Sequence, residues 1–163
     1  MAITKDKKRE ILAKLEGALK GATSAVFVGF NKLNVADTTT MRRTLKKEGV
    51  NYYVAKKTLL NLALKERSYG GAAPEMLGEV AVAWSETDAT APAREIYMHA
   101  KKFKGALSIL GGIFEGLFAD AAKMTAIATI PSLSVLRGMF ANVINSPLQR
   151  FVIALNEVVK TKN

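Results

Sequence analysis

Apolar residues recur at helical spacing from the start of the chain. Ile11, Leu12, Leu15 and Leu19 fall on one stripe between Lys5 and Lys20, while Lys7, Lys8, Lys14 and Lys20 are left to the other faces. The pattern predicts a basic amphipathic helix. From Ala25 to Phe30 it changes to a short apolar run of strand formers, after which Asn34 offers an N-cap to a helix that stops at Gly49. Val50 to Ala55 reads as the next strand, and strand, helix and strand of these lengths predict a parallel β-α-β pair. Lys56-Lys57-Thr58 opens a further helix, with Thr58 as N-cap and Leu59, Leu60 and Leu62 toward the core. Tyr69 to Glu75, carrying Gly70, Gly71 and Pro74, reads as a loop. A strand near Glu79 to Trp84, a helix from about Pro92 to Phe103 and a strand near Ala106 to Leu110 follow. Gly111, Gly112 and Gly116 punctuate another short extended piece before a helix around Asp120 to Ala128. Ile130-Pro131-Ser132 then marks a break.

The pattern beyond that break is of another kind. Leu133, Leu136, Phe140, Val143 and Ile144 form one helical stripe, and Leu148, Phe151, Val152, Leu155 and Val159 form a second. Val135, Met139 and Ile153 place apolar surface elsewhere, and Arg137, Arg150 and Glu157 are the only charges between Leu133 and Val159. A helix apolar over so much of its circumference requires a covering partner. Ser146-Pro147 reads as an N-cap followed by proline at the first helical position, which predicts two helical segments joined by a kink. The predicted fold class is therefore α/β, as an α+β sandwich: a mixed sheet of about four strands covered by helices over residues 1–130. A protruding, kinked C-terminal helical tail over residues 131–163 completes it.

Charge sharpens this division. The 163 residues carry 24 Lys and Arg against 14 Asp and Glu, a formal net charge of +10. Residues 1–68 hold 15 basic and 6 acidic side chains, whereas residues 69–130 hold 5 and 7, and residues 131–163 hold 4 and 1. A grip on a phosphate backbone must be local, because screening limits charge contacts to a Debye length of ~10 Å. The concentration of the excess in the first segment thus points to nucleic acid. Hydrophobic residues at 49% and charged residues at 23% fit a folded protein and exclude intrinsic disorder.

Candidate chemistry is sparse. No cysteine is present, which removes disulfides, thiolate nucleophiles and Cys-based zinc sites and suits the cytosol. The charged N-terminus is followed by no apolar segment of the secretory type. The longest apolar stretches are broken by Glu115, Arg137 or Arg150, short of the ~20 residues of a membrane span, so no membrane partner is expected. The single histidine, His99, sits in a predicted helix one turn after Glu95, where a surface or helix-dipole role outweighs catalysis. No P-loop, nucleophile elbow or dinucleotide fingerprint occurs, and Gly111-Gly112-Ile113-Phe114-Glu115-Gly116 reads as a turn. No cofactor, metal or catalytic residue is expected. Arg42, Arg43, Lys46 and Lys47 cluster on one helix, with 42/46 and 43/47 sharing faces. Lys56, Lys57 and Thr58 place two cations and a hydroxyl beside the free N–H groups of a helix start, which suits an anion. With few aromatics to stack bases, recognition of folded RNA by shape and backbone is expected.

Several of these segments in their order carry a resemblance. They are Ser24-Ala-Val-Phe-Val28, Phe30-Asn-Lys-Leu-Asn-Val35, Met41-Arg-Arg-Thr-Leu-Lys-Lys-Glu-Gly-Val50, Val54-Ala-Lys-Lys-Thr-Leu-Leu60, Asp88 to Pro92, Gly111-Gly112 and Ile130-Pro131. Together they resemble the bacterial large-subunit ribosomal stalk-base proteins, ribosomal protein L-ten, along the whole chain. The resemblance implies a structural constituent of the large ribosomal subunit in the cytoplasm. Its N-terminal domain would bind large-subunit rRNA beside a neighbouring stalk-base ribosomal protein. Its C-terminal helix would carry dimers of the acidic stalk protein, two of them if each stripe holds one, and these in turn recruit translational GTPases. It implies RNA-binding roles for Lys8, Arg42, Lys56 and Thr58. Departures are Lys32, where the family usually has Gly, Lys57 in place of Asn, Asn61 and Leu62 in place of basic residues, and Gly78-Glu79-Val80 in place of Gly-Pro-Thr.

The RNA-binding expectation thus comprises Lys7, Lys8, Arg42, Arg43, Lys46, Lys56, Lys57 and Thr58. The partner-binding expectation comprises Leu136, Phe140, Val143, Ile144, Leu148, Phe151, Val152, Leu155 and Val159. A free-standing RNA-binding regulator with a dimerisation helix is the alternative. A membrane-surface protein would need a basic face along the tail that two arginines do not make.

Overall fold

The computed structural model of the chain describes residues 5–65, 69–70, 74, 76, 78–103 and 105–162. Two compact units emerge, Met1–Ile130 and Pro131–Asn163, and each is described by itself.

The apolar run after the first helix becomes β1 (Ser24–Phe30), buried from Ser24 to Gly29 because helices cover both faces of its sheet. Its side chains alternate as a strand requires. Ala25 and Phe27 pack with Leu15 and Leu19 of α1 (Lys5–Gly21) and with Leu60, Ala63 and Leu64 of α3 (Lys57–Lys65). Val26 and Val28 enter the opposite core with Met41 and Leu45 of α2 (Val35–Lys47), Ile96 of α4 (Ala91–Lys102) and Met124 of α5 (Ala121–Ala128). The other strands are β2 (Asn51–Val54), β3 (Glu79–Ser85), β4 (Leu107–Phe114) and β5 (Leu117–Asp120), in the order β2-β3-β1-β4-β5. The α/β class and the helix-covered sheet are as expected.

Every neighbouring pair in this sheet is antiparallel, which corrects the expected mixed pairing with its parallel β1/β2 pair. β1 and β2 do point the same way, but β3 lies between them, with Val82 opposite both Phe27 and Tyr53. A helical crossover returns the chain to the same end of a sheet whether or not a strand later fills the gap, so spacing alone does not separate the two cases. The sheet also has five strands where about four were expected. Gly111 and Gly112 lie inside β4 and not in a turn. The register against β1 shifts between Phe27 and Val28, leaving a bulge at Leu110. The turn falls at Glu115-Gly116, where φ values of 52° and 78° make the two-residue hairpin into β5.

Two further expectations change in detail. Lys56, not Thr58, occupies the cap of α3, since its carbonyl accepts the Leu60 N–H at 3.1 Å. Leu62 faces outward, 49% exposed, because the core side of this short helix is filled by Leu60, Ala63 and Leu64. Of the expected loop over 69–75, residues 71–73 and 75 lie outside the described residues. Gly70 accepts a hydrogen bond from the Phe118 N–H at 2.9 Å.

In the second unit a single helix, α6 (Leu133–Lys162), runs 30 residues with Pro147 inside it. Two segments separated at Ser146 were expected, and the helix instead continues through the proline. Proline there removes one backbone hydrogen bond without ending the flanking turns.

Candidate nucleic-acid interface and docking helix

Chain direction decides which cations meet. Ala22-Thr23 turn the chain back so that Ile11, Leu15 and Leu19 of α1 pack in the core on one face of the sheet, with Lys7 and Lys8 exposed in its first turns. β2 reaches the Phe30 end of β1. Val54 pairs with Ala81, and the Ala55 N–H donates to the Val80 carbonyl at 3.4 Å, level with Gly29. Lys56, Lys57 and Thr58 therefore emerge beside the end of β1, all three exposed. The loop from β1 to α2, with Lys32, leaves from that end as well. Separate stretches of sequence thus deliver cations to one end of the sheet, and the first-turn N–H groups of α3 point there as a helix start dictates.

Arg42 approaches from the opposite face. Its guanidinium lies 5.5 Å from the centre of the Tyr52 ring on edge strand β2, a cation–π contact. Burial pushes the Tyr52 phenol up, and the Arg42 charge only partly opposes it. Arg43 and Lys46 are exposed on α2, but this helix runs away from the Phe30 end, so Lys46 sits in its last turn toward the start of β2. The structure brings Lys56, Lys57 and Thr58 to the end of the sheet from which the Lys32 loop leaves, joins Arg42 to the β2 edge, leaves Lys46 apart, and has Lys7 and Lys8 exposed on α1. Lys14, which is fully exposed, is held by Glu10 at 2.6 Å; their mutual hydrogen bond raises the Lys14 pKa and lowers that of Glu10.

The remaining ionisable cluster braces α4. Asp88 accepts hydrogen bonds from the Thr90 N–H and hydroxyl, both at 2.9 Å, and Arg94 lies 3.5 Å from Asp88 and 3.6 Å from Glu95. Burial pushes Asp88 upward, but the Thr90 hydrogen bonds and the Arg94 charge together hold it below its ordinary value. Glu95 is buried and shifted up, by desolvation first and then by the Glu48 carboxylate, with Arg94 offsetting part of it. His99 stacks on Phe103 with ring centroids 6.0 Å apart, and burial followed by the Lys102 charge lowers its pKa. Among the described residues no group of acidic, His or Cys side chains is placed to hold a metal.

On α6, all nine residues expected to bind a partner are exposed, from Leu136 at 40% to Phe140 at 69%. Among the described residues no single helix is long and apolar enough to cross a membrane. Lys32, which lies outside the RNA-binding expectation, stands at the cationic end. Its signal in the sequence is a lysine where the resemblance leads one to expect glycine.

The structure thus combines an α/β unit that has lysines at one sheet end with a second unit made of one exposed, largely apolar helix. The family model described as "Ribosomal protein L10" matches residues 3–101. The large ribosomal subunit protein uL10 of Shouchella clausii (strain KSM-K16) is 34% identical over 157 residues, covering 96% of this chain and 94% of its own length. The proteins of that name from Staphylococcus carnosus (strain TM300) and Staphylococcus saprophyticus are 31% and 34% identical, covering 95% and 99% of this chain and 93% and 94% of their own. The chain belongs to the ribosomal protein L10 family. It is a ribosomal protein, and its process is translation.

Proposed function

We propose that the chain is a structural constituent of the large ribosomal subunit in the cytoplasm, joining rRNA at the stalk base to dimers of the acidic stalk protein. The observation that carries this is the separation of two unlike surfaces: a cationic sheet end on the first unit and an uncovered apolar helix making up the second. Lys7, Lys8, Arg42, Arg43, Lys46, Lys56, Lys57 and Thr58 are assigned to rRNA. Phosphates would be held by the lysines and arginines, with the α3 start adding N–H donors. Leu136, Phe140, Val143, Ile144, Leu148, Phe151, Val152, Leu155 and Val159 are assigned to the stalk dimers, as apolar anchors of a helix laid into a groove. An acidic partner also suits Arg137 and Arg150 at the rim. A neighbouring stalk-base ribosomal protein would share the rRNA site, and translational GTPases would be reached through the dimers. The reading involves no chemistry of the chain's own.

Removing residues 131–163 tests the division. The shortened chain should bind large-subunit rRNA with nearly unchanged affinity in a filter or fluorescence assay and should no longer retain the acidic stalk protein on a column. Equal loss of both activities would contradict a two-part adaptor. A free-standing regulator would instead purify with copies of itself and without an acidic partner.

A further inference from the structure

At the end of the sheet where β1 finishes and β3 and β4 begin, the chain leaves a hollow of about 750 Å³, within the range of small-molecule and cofactor sites. Gly29, Gly78 and Gly105 form part of its wall, and a Cβ at Gly78 or Gly105 would meet nothing within 4 Å. Phe30, Lys32 and Glu79 line this hollow and also a smaller one of about 260 Å³ that continues past Tyr52, the residue under Arg42. Both hollows therefore open on the end of the sheet that carries Lys56 and Lys57.

Lys32 is the unusual member. Its φ of 51° lies in the left-handed region, which a residue with a Cβ occupies at a cost and glycine does not. Lys32 and Glu79 are both exposed, and the ion pairs among the described residues all involve other groups. A cation and a carboxylate thus line one polar hollow without neutralising each other. A bare phosphate would be repelled by Glu79, and a purely cationic ligand by Lys32. A nucleotide answers both: its phosphate is an anion, and a base with an exocyclic amino group supplies N–H donors that a carboxylate accepts. Unpaired RNA bases are read in this way, splayed out, stacked on an aromatic ring and hydrogen-bonded along an edge, and Phe30 supplies a ring at the wall.

We infer that this hollow holds one unpaired, amino-bearing nucleotide of the bound rRNA, with its phosphate on Lys32 and its base edge on Glu79. The assignment rests on the rRNA-binding reading and adds to it a pocket, a nucleotide class and two residues.

The absence of cysteine makes the test direct, because a single introduced thiol is unique. Lys32→Cys and, as a reference, Lys57→Cys would each carry a photoreactive label in the full chain bound to intact large-subunit rRNA. Crosslinks from position 32 should map to one unpaired adenosine, cytidine or guanosine. Changing that nucleotide to uridine should weaken binding of the natural chain by at least about fivefold, the lower end for one base contact, and should leave Glu79→Ala unaffected. Lys32→Gly should melt no lower than the natural chain yet bind rRNA with a salt dependence shallower by roughly 0.7 of a unit, one single-strand phosphate contact. Crosslinks from position 57 without any from 32, crosslinks from 32 to paired nucleotides, or crosslinks from 32 to protein in a reconstituted particle would each overturn the pocket while sparing the rRNA reading. Failure of both probes to reach RNA would remove that reading and the pocket with it.

Discussion

Lys56 and Lys57 differ from the surrounding surface lysines in what the backbone does beside them. Lys56 caps α3 with its carbonyl and Lys57 opens the helix, so both ammonium groups stand next to N–H groups that no earlier turn can satisfy. Lys56→Ala and Lys57→Ala should each weaken rRNA binding and flatten its salt dependence by roughly one unit of slope for every phosphate set free, measured as affinity against salt concentration. An unchanged slope would remove the residue from the interface. Glu95 makes a prediction of opposite kind. Its carboxyl is shifted up by burial and by Glu48, so the folded chain holds that proton more readily than the unfolded chain does. Stability from this group is therefore fully present below the unfolded carboxylate pKa of ~4.3 and is lost as pH rises through the raised folded value. Glu95→Gln should flatten that loss, so that the difference in melting temperature between it and the natural chain narrows from pH 7 toward pH 4. Neither the shift nor Glu48's share in it was legible in the sequence, where Glu95 figured only as a neighbour of His99, because desolvation depends on the packed core.

Elements were legible where one segment carries its own pattern, and less so where a distant segment decides. The stripe Leu15 and Leu19 and the run Ala25 to Val28 locate α1 and β1 closely, since each is buried by the periodicity it displays. Nothing in Val50 to Ala55 announces that β3, some 25 residues on, pairs with it. The same is true of Gly111-Gly112, which look like a turn until β1 is laid beside them. A Cβ at Gly112 would stand 2.5 Å from the Ala25 carbonyl oxygen and 2.8 Å from the Met124 methyl, so this glycine is required by the close approach of two strands and a helix. Gly112→Ala should destabilise the first unit by about 1–3 kcal/mol, as other insertions into packed cores do, in urea unfolding followed by circular dichroism. A destabilisation below a few tenths of a kcal/mol would mean that the bulge at Leu110 absorbs the methyl group.

For the whole molecule, the proposed function assigns stoichiometry and RNA affinity to different parts of the chain. Two stripes were legible from Leu133 to Val159 because an apolar helix with no core of its own declares its need for a partner, whereas the continuity of α6 through Pro147 was not: Ser-Pro writes a helix start, and only the helical turns on either side show that the chain ignores it. A continuous helix still offers two successive surfaces. Phe140, Val143 and Ile144 precede the proline and Phe151, Val152 and Leu155 follow it, with ~16 Å of helix between Phe140 and Phe151 at 1.5 Å per residue. On the proposed function, that spacing would give each stripe one dimer. In native mass spectrometry the full chain should carry two dimers of the acidic stalk protein, a chain ending at Asn145 should carry one, and a chain ending at Ile130 none, all three binding rRNA alike. Docking that needed the helix as a single unit would instead drop from two dimers to none on truncation at Asn145, and three dimers on the full chain would require apolar surface beyond the two stripes.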